Sequence, residues 1–119
     1  MPVDSIRNGI PAFDKLQVDW SSGPVQILRG VDIPQLWAFA ADDRQAAHGL
    51  TVERLSTLRV QGKDITFYFF PGAEHGMWNY VQAPDGTRKH TRIAPGFYDL
   101  MADWAKGRLA GPYGSATRK

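Results

Sequence analysis

Ile65-Thr66-Phe67-Tyr68-Phe69-Phe70-Pro71-Gly72-Ala73-Glu74-His75-Gly76-Met77 decides how the rest of the chain is read. Its first six residues are β-branched or aromatic and end at turn formers, so they predict a short buried strand. The Pro71-Gly72 pair forces a turn, and Gly76 lets the chain pass close to a neighbour. One histidine, His75, is delivered just past the strand end. A loop held by a rigid sheet is where open α/β proteins keep their chemistry. The plain alternative is that His75 is an ordinary loop residue, so its surroundings have to carry the argument.

Upstream, Ile33-Pro34-Gln35-Leu36-Trp37-Ala38-Phe39-Ala40 reads as a second strand, with proline at its entry, and Ala41-Asp42-Asp43-Arg44 as a polar turn. Between the two strands, Gly49 to Gly62 predicts a helix. Val52, Leu55 and Leu58 share one face, charges take the other, and Gly62 marks the stop. Strand, helix, strand in this order predicts a right-handed βαβ unit with parallel strands. Parallel strands exit on one edge, so Asp43 and His75 are expected side by side. A carboxylate beside an imidazole fixes its tautomer and stabilises the imidazolium, as a general base requires. Asp42 is the fallback acid, one residue out of step.

The flanks are less informative. Phe13, Leu16 and Trp20 suit one side of a short helix, and Ser22 before Pro24 suits a capped helix start ending at Gly30. Residues 79–95 read as a polar excursion with a tight turn at Asp85-Gly86. Pro95-Gly96 open a helix whose Phe97, Leu100, Met101, Trp104 and Leu109 form an apolar stripe. The expected organisation is one partial domain over 1–110, with a weakly structured lead-in over 1–32, and a flexible tail over 111–119. Trp37, Trp78 and Trp104 read as core or pocket wall, with Trp78 and Tyr80 candidate pocket residues beside His75. Glu74 and Arg44 read as solvated.

Composition narrows the functional classes. The chain has 119 residues, 43% hydrophobic and 22% charged, as expected for one globular domain. The net charge is +2 and no basic stripe alternates with aromatics, so nucleic-acid binding is not indicated. There is no cysteine, hence no disulfide, thiolate nucleophile or thiolate metal site. No apolar run approaches a membrane span and the amino terminus lacks a signal core, so the cytoplasm is the expected compartment and no membrane partner is expected. His48, His75 and His90 with Asp43 are the conceivable metal ligands, but their spacing is not that of a metal site. No metal and no cofactor is expected.

These segments resemble the α/β-hydrolase family. The residues carrying the resemblance are Ile33 to Asp43, the helix to Gly62, Pro71-Gly72-Ala73-Glu74-His75-Gly76 and the closing helix to Trp104. The resemblance spans Ile33 to Leu109 and leans to the serine esterase and serine peptidase branches. It implies an α/β fold: a partial α/β-hydrolase fold comprising the C-terminal βαβ-α unit of a parallel sheet. By it, Asp43 matches the triad acid and His75 the triad base. Ala40 departs mildly from the family's usual glycine. The large departure is the nucleophile, because Ser5, Ser21, Ser22, Ser56 and Ser115 lie in no Gly-x-Ser-x-Gly elbow, and the loop supplying the other oxyanion donor is absent too. The chain is therefore expected to be a C-terminal hydrolase fragment acting on a small ester or peptide only when complete. Alone it is expected to be inactive and to associate with itself or with the missing N-terminal part. A non-enzymatic interaction module or pseudo-enzyme remnant is the alternative.

Overall fold

A computed structural model describes residues 24–46 and 48–119. The chain divides into two units, Met1–Val31 and Asp32–Lys119. Of the first, only the short helix α1 (Pro24–Leu28) and the turn after it are described. The expected helix around Phe13, Leu16 and Trp20 and the Ser22 cap lie outside the described residues.

The second unit is built on β1 (Gln35–Ala40) and β2 (Ile65–Phe70), joined through helix α2 (Gly49–Val60). The two strands pair in parallel, Gln35 opposite Ile65 and Ala40 opposite Phe70. β2 is apolar on both faces because both are covered. One face carries Phe67, with the Arg59 guanidinium 4.6 Å from its ring centroid, and α2 lies against this strand, burying Leu55 and Leu58. The other face carries Tyr68 and Phe70, which join Ala40, Ala73, Met77, Ala94, Leu100 and Tyr113 in one core cluster. Helix α3 (Phe97–Ala105) supplies Leu100, and Phe97 meets Phe70 edge-on at 5.8 Å. Phe67 and Phe70 are each 1% exposed, so truncating either removes a complete set of contacts.

After β2 the chain changes direction. Gly72 at φ +73 fits the second central position of the Pro71-Gly72 turn, and β3 (Ala73–Glu74) begins at once. A three-residue loop, His75-Gly76-Met77, returns the chain as β4 (Trp78–Gln82), which pairs antiparallel with β5 (Arg88–Ile93). The carboxyl end folds back as β6 (Thr117–Arg118), antiparallel to β2. The result is two three-stranded sheets, ordered β1-β2-β6 and β3-β4-β5.

This overturns the expected fold class. Three of the four strand pairings are antiparallel, so the molecule is a mixed α and β structure and not the C-terminal βαβ-α unit of a parallel α/β-hydrolase sheet. The physical reason lies in Trp78 to Ile93, which the sequence presents as a polar loop. A two-stranded ribbon open to solvent carries polar residues on its strands, so hydrophobic content understates it. The tail also differs from the expectation of fraying. Tyr113 is buried, donates a hydrogen bond to Asp103 at 2.7 Å and accepts one from Ala110 N–H at 2.8 Å. Gly96 and Gly114, both at positive φ, let the tail press on the start of α3, where a Cβ on Gly114 would run into the Pro95 carbonyl. Helix α3 stops at Ala105, short of Leu109. No helix among the described residues is long and apolar enough to cross a membrane.

Candidate functional site

The site lies where the two sheets join. Ala41 N–H bonds the Phe70 carbonyl at 3.0 Å and Asp42 N–H bonds the Ala73 carbonyl at 2.9 Å, so the exits of β1 and β2 stay together beyond their last paired residues. Asp43 then turns back, its N–H on the Ala40 carbonyl at 3.2 Å. One of its carboxylate oxygens, Oδ1, accepts from Gln45 N–H at 2.8 Å and Ala46 N–H at 2.9 Å. This self-capped turn leaves Oδ2 free to point at the histidine loop.

His75 occupies the first central position of the Glu74-to-Met77 turn, closed by Met77 N–H on the Glu74 carbonyl at 2.9 Å. Gly76 follows at φ +82, the conformation that position demands. Met77 itself is left-handed at φ 65, held there by its burial and by the bond from Ala94 N–H to its carbonyl. The loop is thus fixed at both ends, and it carries the imidazole to Asp43. His75 Nδ1 lies 3.1 Å from Asp43 Oδ2, 32 residues apart in sequence. A carboxylate only accepts, so Nδ1 carries the proton and Nε2 is the unprotonated nitrogen of the neutral ring.

Environment separates the partners. The Asp43 side chain is 13% exposed and the His75 side chain 52%. The Ala46 N–H holds the Asp43 carboxyl below its ordinary 3.8; burial opposes this, and His75 and Gln45 N–H reinforce it. Asp43 is accordingly an anion at neutral pH. The pair opens on a cleft of about 340 Å³ whose lining includes Phe39, His48, Thr51, Met77 and Phe97. That lining is largely apolar with a few polar groups, and the cleft is wide open to solvent.

The other sequence candidates go elsewhere. Asp42 points away from His75 and accepts the Tyr80 hydroxyl at 2.6 Å. This bond raises the Tyr80 hydroxyl above 10.0, with burial adding to it. His48 caps no amide with its side chain; its Nε2 lies 3.4 Å from the Ala41 carbonyl and its ring packs on Phe39 and Phe69. His90 bonds Glu74 and stacks on Trp78. The three histidines therefore have separate partners, and no group of three or more potential metal ligands forms among the described residues. Trp78 and Tyr80 line the hairpin network and not the cleft. Ser56 sits inside α2 and Ser115 in the tail, while Ser5, Ser21 and Ser22 lie outside the described residues.

Glu74 is the clearest surprise. It reads as solvated in the sequence, yet its side chain is 15% exposed and bonded to Arg88 at 3.1 Å and to His90. Burial pushes its carboxyl up, but the Arg88 and His90 hydrogen bonds outweigh this and leave it below 4.5. The sequence reading does not reach the network of Asp42, Glu74, Tyr80 and Arg88, because it takes the hairpin for a polar loop. Its signal is the alternation Trp78-x-Tyr80-x-Gln82 answered by Arg88-x-His90-x-Arg92 around Pro84-Asp85-Gly86.

Comparison of the chain with protein-family models, with curated proteins and with solved structures finds no match. The resemblance to α/β-hydrolases therefore rests on the residues quoted for it and on nothing broader.

Proposed function

We propose that Asp43 and His75 are the acid and base of a Ser-Asp-His charge system for ester or peptide bond hydrolysis, whose serine none of the 119 residues supplies. The observation that carries this reading is the 3.1 Å contact between His75 Nδ1 and Asp43 Oδ2 at the mouth of an apolar cleft. In the neutral ring Nε2 is left to take a proton from a hydroxyl as it attacks a carbonyl. It then returns that proton to the leaving group, and Asp43 stabilises the imidazolium between the two steps. The cleft suits the acyl or leaving group of a small ester or peptide. With no serine elbow the described part performs only the proton-transfer half, so the 119-residue chain is inactive on its own.

An activated-ester assay on the 119-residue chain tests this. The expected result is release of the leaving group at the uncatalysed rate, with no acylated serine by intact mass. Turnover that His75→Ala abolishes but that survives replacement of each serine in turn would overturn the serine account.

One observation favours a second reading, an interaction module. Among the described residues β1 is an edge strand, and it begins at Gln35, whose buried Nε2 finds no hydrogen-bond partner among them. An edge of this kind is a template for another strand. This reading predicts a monodisperse, cooperatively folded species, and an aggregated or molten profile would count against it.

A further inference from the structure

The Asp43-His75 contact joins the turn after β1 to the loop between β3 and β4, two segments whose backbones are tied by the Asp42 N–H bond to the Ala73 carbonyl, one residue short of Asp43 and two short of His75. A third residue, on β5, touches both. Arg88 Nη1 donates to the backbone carbonyl of Asp42 at 2.8 Å and to the carboxylate of Glu74 at 3.1 Å. Asp42 immediately precedes Asp43, and Glu74 immediately precedes His75. The guanidinium is therefore one residue away from each member of the pair.

The seat of Arg88 is itself built. Its carbon Cζ lies 4.2 Å from the centroid of the Tyr80 ring, and the Tyr80 hydroxyl donates to Asp42 Oδ2 at 2.6 Å. Tyr80 so supports Arg88 from below and pins the same aspartate whose carbonyl Arg88 holds. Glu74 Oε1 is occupied by His90, which leaves Oε2 aimed at the guanidinium. The Arg88 and Glu74 side chains are 13% and 15% exposed, where charge-assisted bonds are less screened than at the surface. A rigid planar guanidinium seated on an aromatic ring defines the spacing of its acceptors more tightly than a flexible ammonium does.

We propose that Arg88 is a positioning residue: it clamps the Asp42 carbonyl to the Glu74 carboxylate and thereby sets the distance between Asp43 and His75. The inference rests on the acid-base reading of that pair. It goes further by assigning a role to a residue that touches neither ring nor reacting carboxylate. A merely structural arginine would stabilise the hairpin without altering the state of the His75 ring. A positioning arginine alters the ring's tautomer, because the Nδ1–H form persists only while Asp43 is in reach.

The test is the tautomeric state of His75, read from long-range proton–nitrogen spectra of the ¹⁵N-labelled 119-residue chain. The spectra are taken at about pH 8.5, above the ordinary imidazole range. In the unaltered chain His75 is expected in the Nδ1–H form. Arg88→Gln is expected to lower that population roughly twofold, with Arg88→Lys in between and the His48 ring unchanged. Asp43→Ala separates the two claims. If Asp43→Ala shifts the tautomer while Arg88→Gln and Arg88→Lys leave it at the unaltered value, the clamp is overturned and the pair stands. If the unaltered chain already shows a mixture that Asp43→Ala does not change, the acid-base reading fails. Should Arg88→Gln lose its dispersed spectrum, Arg88→Lys and Tyr80→Phe decide, and a normal tautomer in both overturns the clamp.

Discussion

The parallel pair β1-β2 and the hairpin β4-β5 are neighbours built by opposite means. The pair is held by apolar side chains: Phe67, Phe70, Leu55, Leu58 and Leu100 are all within 2% of complete burial. The hairpin has no fully buried side chain; β4 carries the aromatics Trp78 and Tyr80, and β5 faces it with the cations Arg88, Lys89 and Arg92. What ties it down is specific and polar: Arg88 over Tyr80, His90 over Trp78, and the bonds to Asp42 and Glu74. The apolar layer sets stability and presents Asp43, while the polar ribbon sets the geometry of His75. The candidate site needs both because it lies on their seam.

That contrast can be broken most forcefully in the core. Phe70→Ala is expected to cost about 3–5 kcal/mol and to unfold both regions together, read as a shifted midpoint in urea. A cost below about 1.5 kcal/mol would mean the core relaxes around the gap, and that the apolar layer is less dominant than its burial implies.

In the ribbon the expected effect is smaller and local. Tyr80→Phe removes one hydrogen bond to a carboxylate and should cost about 1.5 kcal/mol, with faster amide exchange in β4 and β5 but unchanged exchange in β2. Equal acceleration in β2 would show that the two regions open as one unit.

The same contrast has a pH dependence. Asp43 and Glu74 both have folded carboxyls below their ordinary values of 3.8 and 4.5. Groups lowered on folding bind fewer protons in the native state, so their contribution is present above those values and is lost as the pH falls through the folded ones. Urea midpoints are therefore expected to hold near neutrality and to drop from about pH 4 downward, with Asp43→Asn and Glu74→Gln each flattening part of the drop. An unchanged slope in both variants would remove the ion network from the account.

The smallest effect expected is at Val60, which is 88% exposed at the end of α2. Val60→Lys should stay within about 0.5 kcal/mol. A loss well beyond that, dependent on protein concentration, would mean that copies of the chain associate through this end of the helix.

What the sequence makes legible follows the same division. The β-branched and aromatic run from Ile65 to Phe70, the Val52-Leu55-Leu58 face and the Pro-Gly turns all report apolar burial and backbone freedom, and those are what hydrophobic periodicity encodes. From them the parallel register of β1 and β2, and hence the approach of Asp43 to His75, can be anticipated. The hairpin is not legible in that way, because Lys89, Thr91 and Arg92 look the same in a solvated strand and in a loop. Nor is the docking of Tyr113, whose burial depends on the close approach of Gly96 and Gly114, two positions far apart in sequence. Carrying a parallel-sheet expectation through the whole chain failed for this reason: it extended a rule satisfied by one strand pair to segments that pair antiparallel.

On this reading His75 is a base made ready by Asp43, with no partner on Nε2 among the described residues. Diethyl pyrocarbonate acylates unprotonated imidazole nitrogens, and site-resolved mass spectrometry reads the rate at each of the three histidines. His75 is expected to react fastest, ahead of His90, which is bonded to Glu74 and stacked on Trp78, and ahead of His48, packed on Phe39 and Phe69. Asp43→Ala is expected to slow the His75 reaction severalfold while leaving the other two unchanged. A His75 rate no greater than that of His48 or His90, or one indifferent to Asp43, would contradict the account.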